Sequence, residues 1–274
     1  MKKRTTAWLC LILMMTGLLC GCGGKEGTDT EPETMPEMTS SVLTEETAPP
    51  TTVPPTTIPP TTVPPTTAPT EPTVSVPDES WFDDALFIGE SRTAGLKVYG
   101  RLGKADYFCG EGLTVYGVLG VSASDWNFGE QSLQSLFSRK QYGKIYIHLG
   151  INELGGNLDS YINQYRKVID SIRQMQPDAC IILQSVLSLG DGYSSRSCFS
   201  AESIQDINDR IRALAEEKGL HFSDVNRIMT DETGYLIEGL SFDDCHLNPE
   251  SYELWAQWLL EEAYEIEIMR QKEN

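Results

Sequence analysis

From residue 79 onward the apolar residues fall into two alternating rhythms. Short, near-continuous apolar runs come at Ala85-Leu-Phe-Ile88, closed by Gly89, and at Asp106-Tyr-Phe-Cys109, closed by Gly110. Three more follow at Lys144 to Leu149, Cys180 to Val186 and Leu220 to Val225. Runs of this length, bounded by glycine and polar residues, predict strands buried on both faces. Between them the period lengthens to that of a helix. Leu158, Tyr161, Ile162, Tyr165, Val168, Ile169 and Ile172 form one stripe, and Ile204, Ile207, Ile211 and Leu214 another. A last helix starts where Asn248 can cap it and Pro249 takes the first helical position, with Tyr252, Trp255, Leu259 and Ala263 on its inner side. Strands alternating with helices at this spacing predict an α/β fold, a three-layer α/β/α sandwich around a mostly parallel five-stranded sheet. In such sheets chemistry gathers at the carboxyl ends of the strands.

The first 78 residues have a different character. Lys2, Lys3 and Arg4 precede an apolar run from Ala7 to Leu19, too short for a comfortable membrane span. The run ends in Leu19-Cys20-Gly21-Cys22, which fits a bacterial lipobox. On that reading residues 1–21 are a lipoprotein signal peptide, cleavage follows Gly21 and Cys22 carries the lipid. The alternative is an ordinary secretory signal. Residues 22–78 then form a tether almost without aromatics, carrying repeated Pro-Pro-Thr-Thr units between Pro49 and Thr73. Such a segment buries too little to offset the entropy of ordering. Extended as polyproline II it would reach roughly 170 Å. This organisation predicts a domain, residues 79–274, held by its lipid at the outer face of the bacterial cytoplasmic membrane and extended into the cell wall or beyond. A proline-rich ligand for a partner domain is the competing reading of the tether.

Charge removes one class of partner. With 40 acidic against 21 basic residues the chain stands at −19, and loss of a basic signal would make it more negative still. Nucleic acid is therefore not an expected partner.

Three short constellations carry candidate chemistry. Ser91 stands just after the first predicted strand, in Gly89-Glu90-Ser91-Arg92, where the N–H groups of an incoming helix can face a developing oxyanion. The bland reading of such a serine is a helix cap. Asn152 follows the third strand in Gly150-Ile151-Asn152-Glu153, where a turn asparagine is the bland reading. Asp243 and His246 lie in a polar loop before the last helix. The chain has three histidines; His148, inside a predicted strand, and His221, at the start of one, are expected to be packing residues. His246 is therefore the candidate base, with Asp243 to orient it.

Together these pieces resemble the SGNH (GDSL-type) hydrolase family over the whole domain, from about Asp83 to the last helix. The resemblance implies a flavodoxin-like α/β/α fold, Ser91 as nucleophile and also as an oxyanion-hole N–H, and Asn152 as a side-chain oxyanion donor. It implies His246 as base and Asp243 as its partner. It also implies a glycine N–H after the second strand, for which Gly112 is the choice and Gly120 the alternative. Glu90 stands where the family usually has aspartate; that residue supports the turn outside the triad, so activity is expected to survive. No metal or other cofactor is called for. Gly110-Glu111-Gly112 is no dinucleotide fingerprint, no phosphate loop is present, and Cys109, Cys180, Cys198 and Cys245 lack zinc spacing. Cys198 and Cys245 fall in segments expected at the same sheet edge, which leaves either a disulfide or two free thiols.

The expected activity is that of a serine esterase removing acyl groups, O-acetyl above all, from envelope or extracellular glycans through an acyl-enzyme. O-acyl transfer to a sugar hydroxyl and a non-catalytic surface binding module are the alternatives.

Overall fold

The computed structural model describes residues 77–120, 132–195 and 197–273. The signal peptide, Cys22 and all of the tether except Pro77 and Asp78 lie outside the described residues. Five strands, β1 (Ala85–Gly89), β2 (Asp106–Cys109), β3 (Lys144–His148), β4 (Cys180–Gln184) and β5 (His221–Ser223), form one sheet in the order β2-β1-β3-β4-β5. Every adjacent pair is parallel. The helices are α1 (Ser91–Tyr99), α2 (Leu133–Phe137), α3 (Leu158–Met175), α4 (Ala201–Lys218), α5 (Asn226–Met229) and α6 (Pro249–Glu273).

The two-residue alternation of the strands divides the interior into two cores. Leu86, Ile88, Ile145, Ile147, Ile181 and Leu183 pack on one face with the apolar stripes of α3 and α4. Phe87, Tyr146 and Ile182 point to the other, joined by Leu96 of α1 and by Tyr252, Trp255 and Leu259 of α6. There Phe87 stacks between Tyr107 and Tyr146, with ring centroids 5.3 and 4.6 Å apart. The sheet is thus covered on both sides, as the sequence pattern predicts.

Two strands end two residues before the close of their apolar runs. β4 stops at Gln184 because the backbone of Val186 is taken over by side chains: Asn208 Oδ1 accepts from its N–H at 2.7 Å and Asn208 Nδ2 donates to its carbonyl at 2.9 Å. β5 stops at Ser223 because the chain turns directly into α5. At the start of α6 the side-chain amide of Asn248 donates to Gly239 O at 2.7 Å, tying the helix start to the loop before it.

α6 also carries a buried acid. Glu262 is only 8% exposed, accepts a hydrogen bond from Ser223 Oγ of β5, and is pushed up to about 7 by burial. Its raised pKa means the folded state binds this proton more tightly than the unfolded chain does. Its stabilising share is present below pH 4.5 and lost as pH rises through 7. Glu262→Gln should therefore narrow the fall in melting temperature between pH 5 and pH 8, a change worth on the order of 3 kcal/mol at most. An unchanged pH dependence in thermal melts would contradict this assignment.

Candidate active site

The strand order places β1 between β2 and β3, so the chain leaves β1 and β3 in opposite lateral directions and a crevice opens beyond their carboxyl ends. Ser91 emerges there. The turn is possible because Gly89 has no side chain: a Cβ would overlap Thr93 Oγ1 and come within 2.7 Å of His148 O. Glu90 is the N-cap of α1, its side chain accepting from Arg92 N at 3.0 Å. The capping role open to Ser91 is thus filled by its neighbour, and the serine hydroxyl is left for other work.

That hydroxyl meets the loop before α6. Ser91 Oγ lies 3.0 Å from His246 Nε2, and His246 Nδ1 lies 2.8 Å from Asp243 Oδ2. The other carboxylate oxygen, Oδ1, accepts from the backbone N–H of His246 at 2.6 Å and of Cys245 at 3.0 Å. Burial would raise the pKa of Asp243, but these N–H groups and the His246 ring outweigh it and hold the carboxyl below its ordinary value. An ionised Asp243 fixes the proton of a neutral imidazole on Nδ1 and leaves Nε2 to accept. Phe242, 70% exposed, stacks on the His246 ring at 6.1 Å between centroids.

Beneath the serine lies a buried charged cluster. Glu90 and Arg92 are each 1% exposed; Glu90 Oε1 accepts from Arg92 Nε at 2.9 Å and sits 3.2 Å from His148 Nδ1. Arg92 Nη1 donates to Leu187 O at 2.7 Å, which ties the Ser91 turn to the segment after β4. His148 is therefore more than the packing residue expected of it. It lies opposite Gly89 in the β1–β3 register, meets Trp255 edge-on, and is kept neutral by burial against the opposing pull of Glu90.

The candidate oxyanion residues gather around the same edge. Asn152 is exposed, and its Nδ2 donates to Leu113 O at 3.0 Å, while the second N–H of that amide finds no acceptor among the described residues. Gly112 adopts φ +69° in the turn after β2, and its N–H finds no acceptor among the described residues. Gly120 N–H, by contrast, is committed to Gly117 O at 2.8 Å. Glu153, next to Asn152, accepts from Val115 N at 2.6 Å and is pushed up to about 7 by burial. Asn152 and Glu153 thus both hold the Gly112 loop. Ser91 N–H, at the first position of α1, has no partner among the described residues.

Of the two readings of Cys198 and Cys245, the structure has free thiols. Cys198 turns toward Gly155, where an added Cβ would lie 3.4 Å from its Sγ, while Cys245 packs against the α3–α4 core. The two side chains are engaged by different neighbours, so the disulfide is not formed.

A family model described as the GDSL-like lipase/acylhydrolase family matches residues 87–254, from β1 into α6. The chain belongs to the GDSL-like lipase/acylhydrolase family. Among solved structures, a GDSL-like lipase from Bacteroides thetaiotaomicron VPI-5482 is 18% identical with a TM-score of 0.51, over 70% of this chain and 93% of that one. A Streptococcus pneumonia protein provisionally described as a platelet activating factor is 21% identical with a TM-score of 0.52, over 66% and 84%. At such identities the likeness is one of fold. Among curated proteins nothing matches. Membership in this acylhydrolase family and the serine–imidazole–carboxylate relay point to the same chemistry, attack on an acyl carbon.

What sequence reasoning missed was the cluster under Ser91. A signal was present: Glu90 and Arg92 flank the serine directly after an all-apolar strand, where lone charges would be costly. Removing one partner of such a pair strands the other. Arg92→Leu should destabilise the domain by about 3–5 kcal/mol in denaturant unfolding. A loss below about 1 kcal/mol would mean that the pair is hydrated rather than buried.

Proposed function

We propose that this GDSL-family protein is a serine esterase that removes ester-linked acyl groups, O-acetyl first among them, from cell-envelope or extracellular glycans. The single observation that carries the reading is the unbroken relay from Ser91 Oγ through His246 to Asp243, at 3.0 and 2.8 Å. In the first half-reaction Ser91 Oγ attacks the ester carbonyl and its proton passes to His246 Nε2. The oxyanion is held by Ser91 N–H, Gly112 N–H and the second N–H of Asn152. The proton then goes to the departing alcohol as the C–O bond breaks. In the second, water gives a proton to His246 and attacks the acyl carbon, and Ser91 recovers its proton as the acid leaves.

The glycan part of the reading has separate support. A cavity of about 590 Å³ adjoins the His246 loop; beside Leu236 and Ile237 its lining includes the polar side chains of Asp231, Glu238, Ser241 and Asp244. Carboxylates and hydroxyls suit sugar hydroxyls better than a long acyl chain. The envelope address rests on the Leu19-Cys20-Gly21-Cys22 sequence and the Pro/Thr tether. The lipid on Cys22 would make the membrane a partner, and no metal or cofactor enters the reaction.

Ser91→Ala should abolish hydrolysis of a chromogenic acetate ester and labelling by a fluorophosphonate, with the fold intact by circular dichroism. Asn152→Ala should cost about 10²- to 10³-fold in kcat. Retention of turnover within about tenfold by the serine variant would overturn the mechanism. For the address, Cys22→Ser should move the full chain from the membrane to the soluble fraction while ester hydrolysis persists. If only Cys20→Ser does so, the lipid sits on the other cysteine.

A further inference from the structure

Ser91 has one hydroxyl proton and two acceptors within reach of it. His246 Nε2 is 3.0 Å from Oγ, and Glu90 Oε2 is 2.9 Å from it. Glu90 is held as a carboxylate. Burial alone would raise its pKa, but the Arg92 charge, the bond from His148 and the Arg92 N–H together keep it well below the carboxylate range. An ionised carboxylate only accepts hydrogen bonds. One proton serves one acceptor at a time, so the Glu90–Ser91 contact is favourable only while Oγ carries its proton and turns it toward Glu90.

Acylation removes that proton. As the Oγ–C bond forms, the proton leaves Oγ for His246 Nε2 and then for the departing alcohol, and Oγ becomes an ester oxygen without hydrogen. Glu90 Oε2, on a carboxylate that is 1% exposed, then faces only lone pairs across a short gap. The carboxylate has little room to withdraw, because Arg92 Nε at 2.9 Å, Arg92 N at 3.0 Å and His148 Nδ1 at 3.2 Å fix it. Hydrolysis reverses the conflict: water supplies a proton to His246, the C–Oγ bond breaks, and Oγ takes the proton back and can donate to Glu90 again.

We propose that Glu90 destabilises the acyl-enzyme relative to the free enzyme, so that the acyl group is released quickly and does not accumulate on Ser91. This rests on the reading of Ser91 as nucleophile. Aspartate at this position would be shorter by one methylene, drawing the carboxylate back from Oγ while keeping its charge opposite Arg92.

The test uses 4-nitrophenyl acetate, whose good leaving group makes acylation fast. Stopped-flow release of nitrophenolate and intact mass after acid quench report the acyl-enzyme directly. The wild type should show no burst and less than about one tenth of the protein acetylated in the steady state. Glu90→Asp should show a burst approaching one equivalent, with deacylation slowed about 10- to 100-fold and acylation changed less. A burst and release rate in Glu90→Asp equal to wild type would overturn the proposal while leaving Ser91 as nucleophile. Should the variant not fold, the wild-type measurement decides: near-stoichiometric acetylation overturns the proposal, its absence at full turnover supports it. Undiminished activity in Ser91→Ala would remove the serine reading itself, and this one with it.

Discussion

A carboxylate that is 1% exposed beside a catalytic-type serine has to be neutralised, and the pairing of Glu90 with Arg92 is how this molecule does it. In a dry interior an unpaired charge costs several kcal/mol, so the pair cannot separate without the domain losing much of its stability. Because Arg92 also holds Leu187 O and Glu90 also meets His148, that one constraint ties together the ends of β1, β3 and β4. The position of Ser91 follows from it. The serine sits on a turn whose two neighbours are both locked, and its hydroxyl lies between Glu90 Oε2 and His246 Nε2.

The two halves of the relay are built differently. Ser91 stands on a buried, charge-locked platform, whereas Asp243 and His246 come from a partly exposed loop that organises itself. Asp243 satisfies two backbone N–H groups of its own turn before it touches the imidazole, and Ser241 Oγ donates to His246 O at 2.7 Å. The loop gains its shape from local hydrogen bonds and its place from Leu247 and Tyr252, both buried in the α6 core. A third set of ties holds the opposite wall, where Asn152 and Glu153 bind the carbonyl of Leu113 and the N–H of Val115. Ser91, the Asp243–His246 pair and the Asn152 wall thus rest on three supports that meet at the sheet edge.

Much of this was legible in the chain. Runs such as Ala85–Gly89 and stripes such as Tyr161, Tyr165, Val168 and Ile172 specify strand and helix because burial on both faces or on one face leaves a period in the sequence. The residues that meet at the sheet edge, Ser91, Asp243 and His246, could be singled out for a related reason: a serine, an imidazole and a carboxylate near strand ends are the residue types that the proposed acyl chemistry needs. Even the exchange of Glu90 for the usual aspartate could be read, though not what its extra methylene reaches.

What the sequence could not carry were distances between residues far apart in it. Ser91 and His246 are separated by 155 positions, and only the docking of α6 on the sheet brings them within 3.0 Å. The Gly89–His148 register decided that a strand histidine would meet Glu90, and side-chain capture of Val186 by Asn208 decided where β4 would end. The choice between free and bridged cysteines was likewise made by packing, with Cys198 against Gly155 and Cys245 against the core. Periodicity records what each residue's own segment must bury; which segments become neighbours is settled only when the sheet order is fixed and the two cores close.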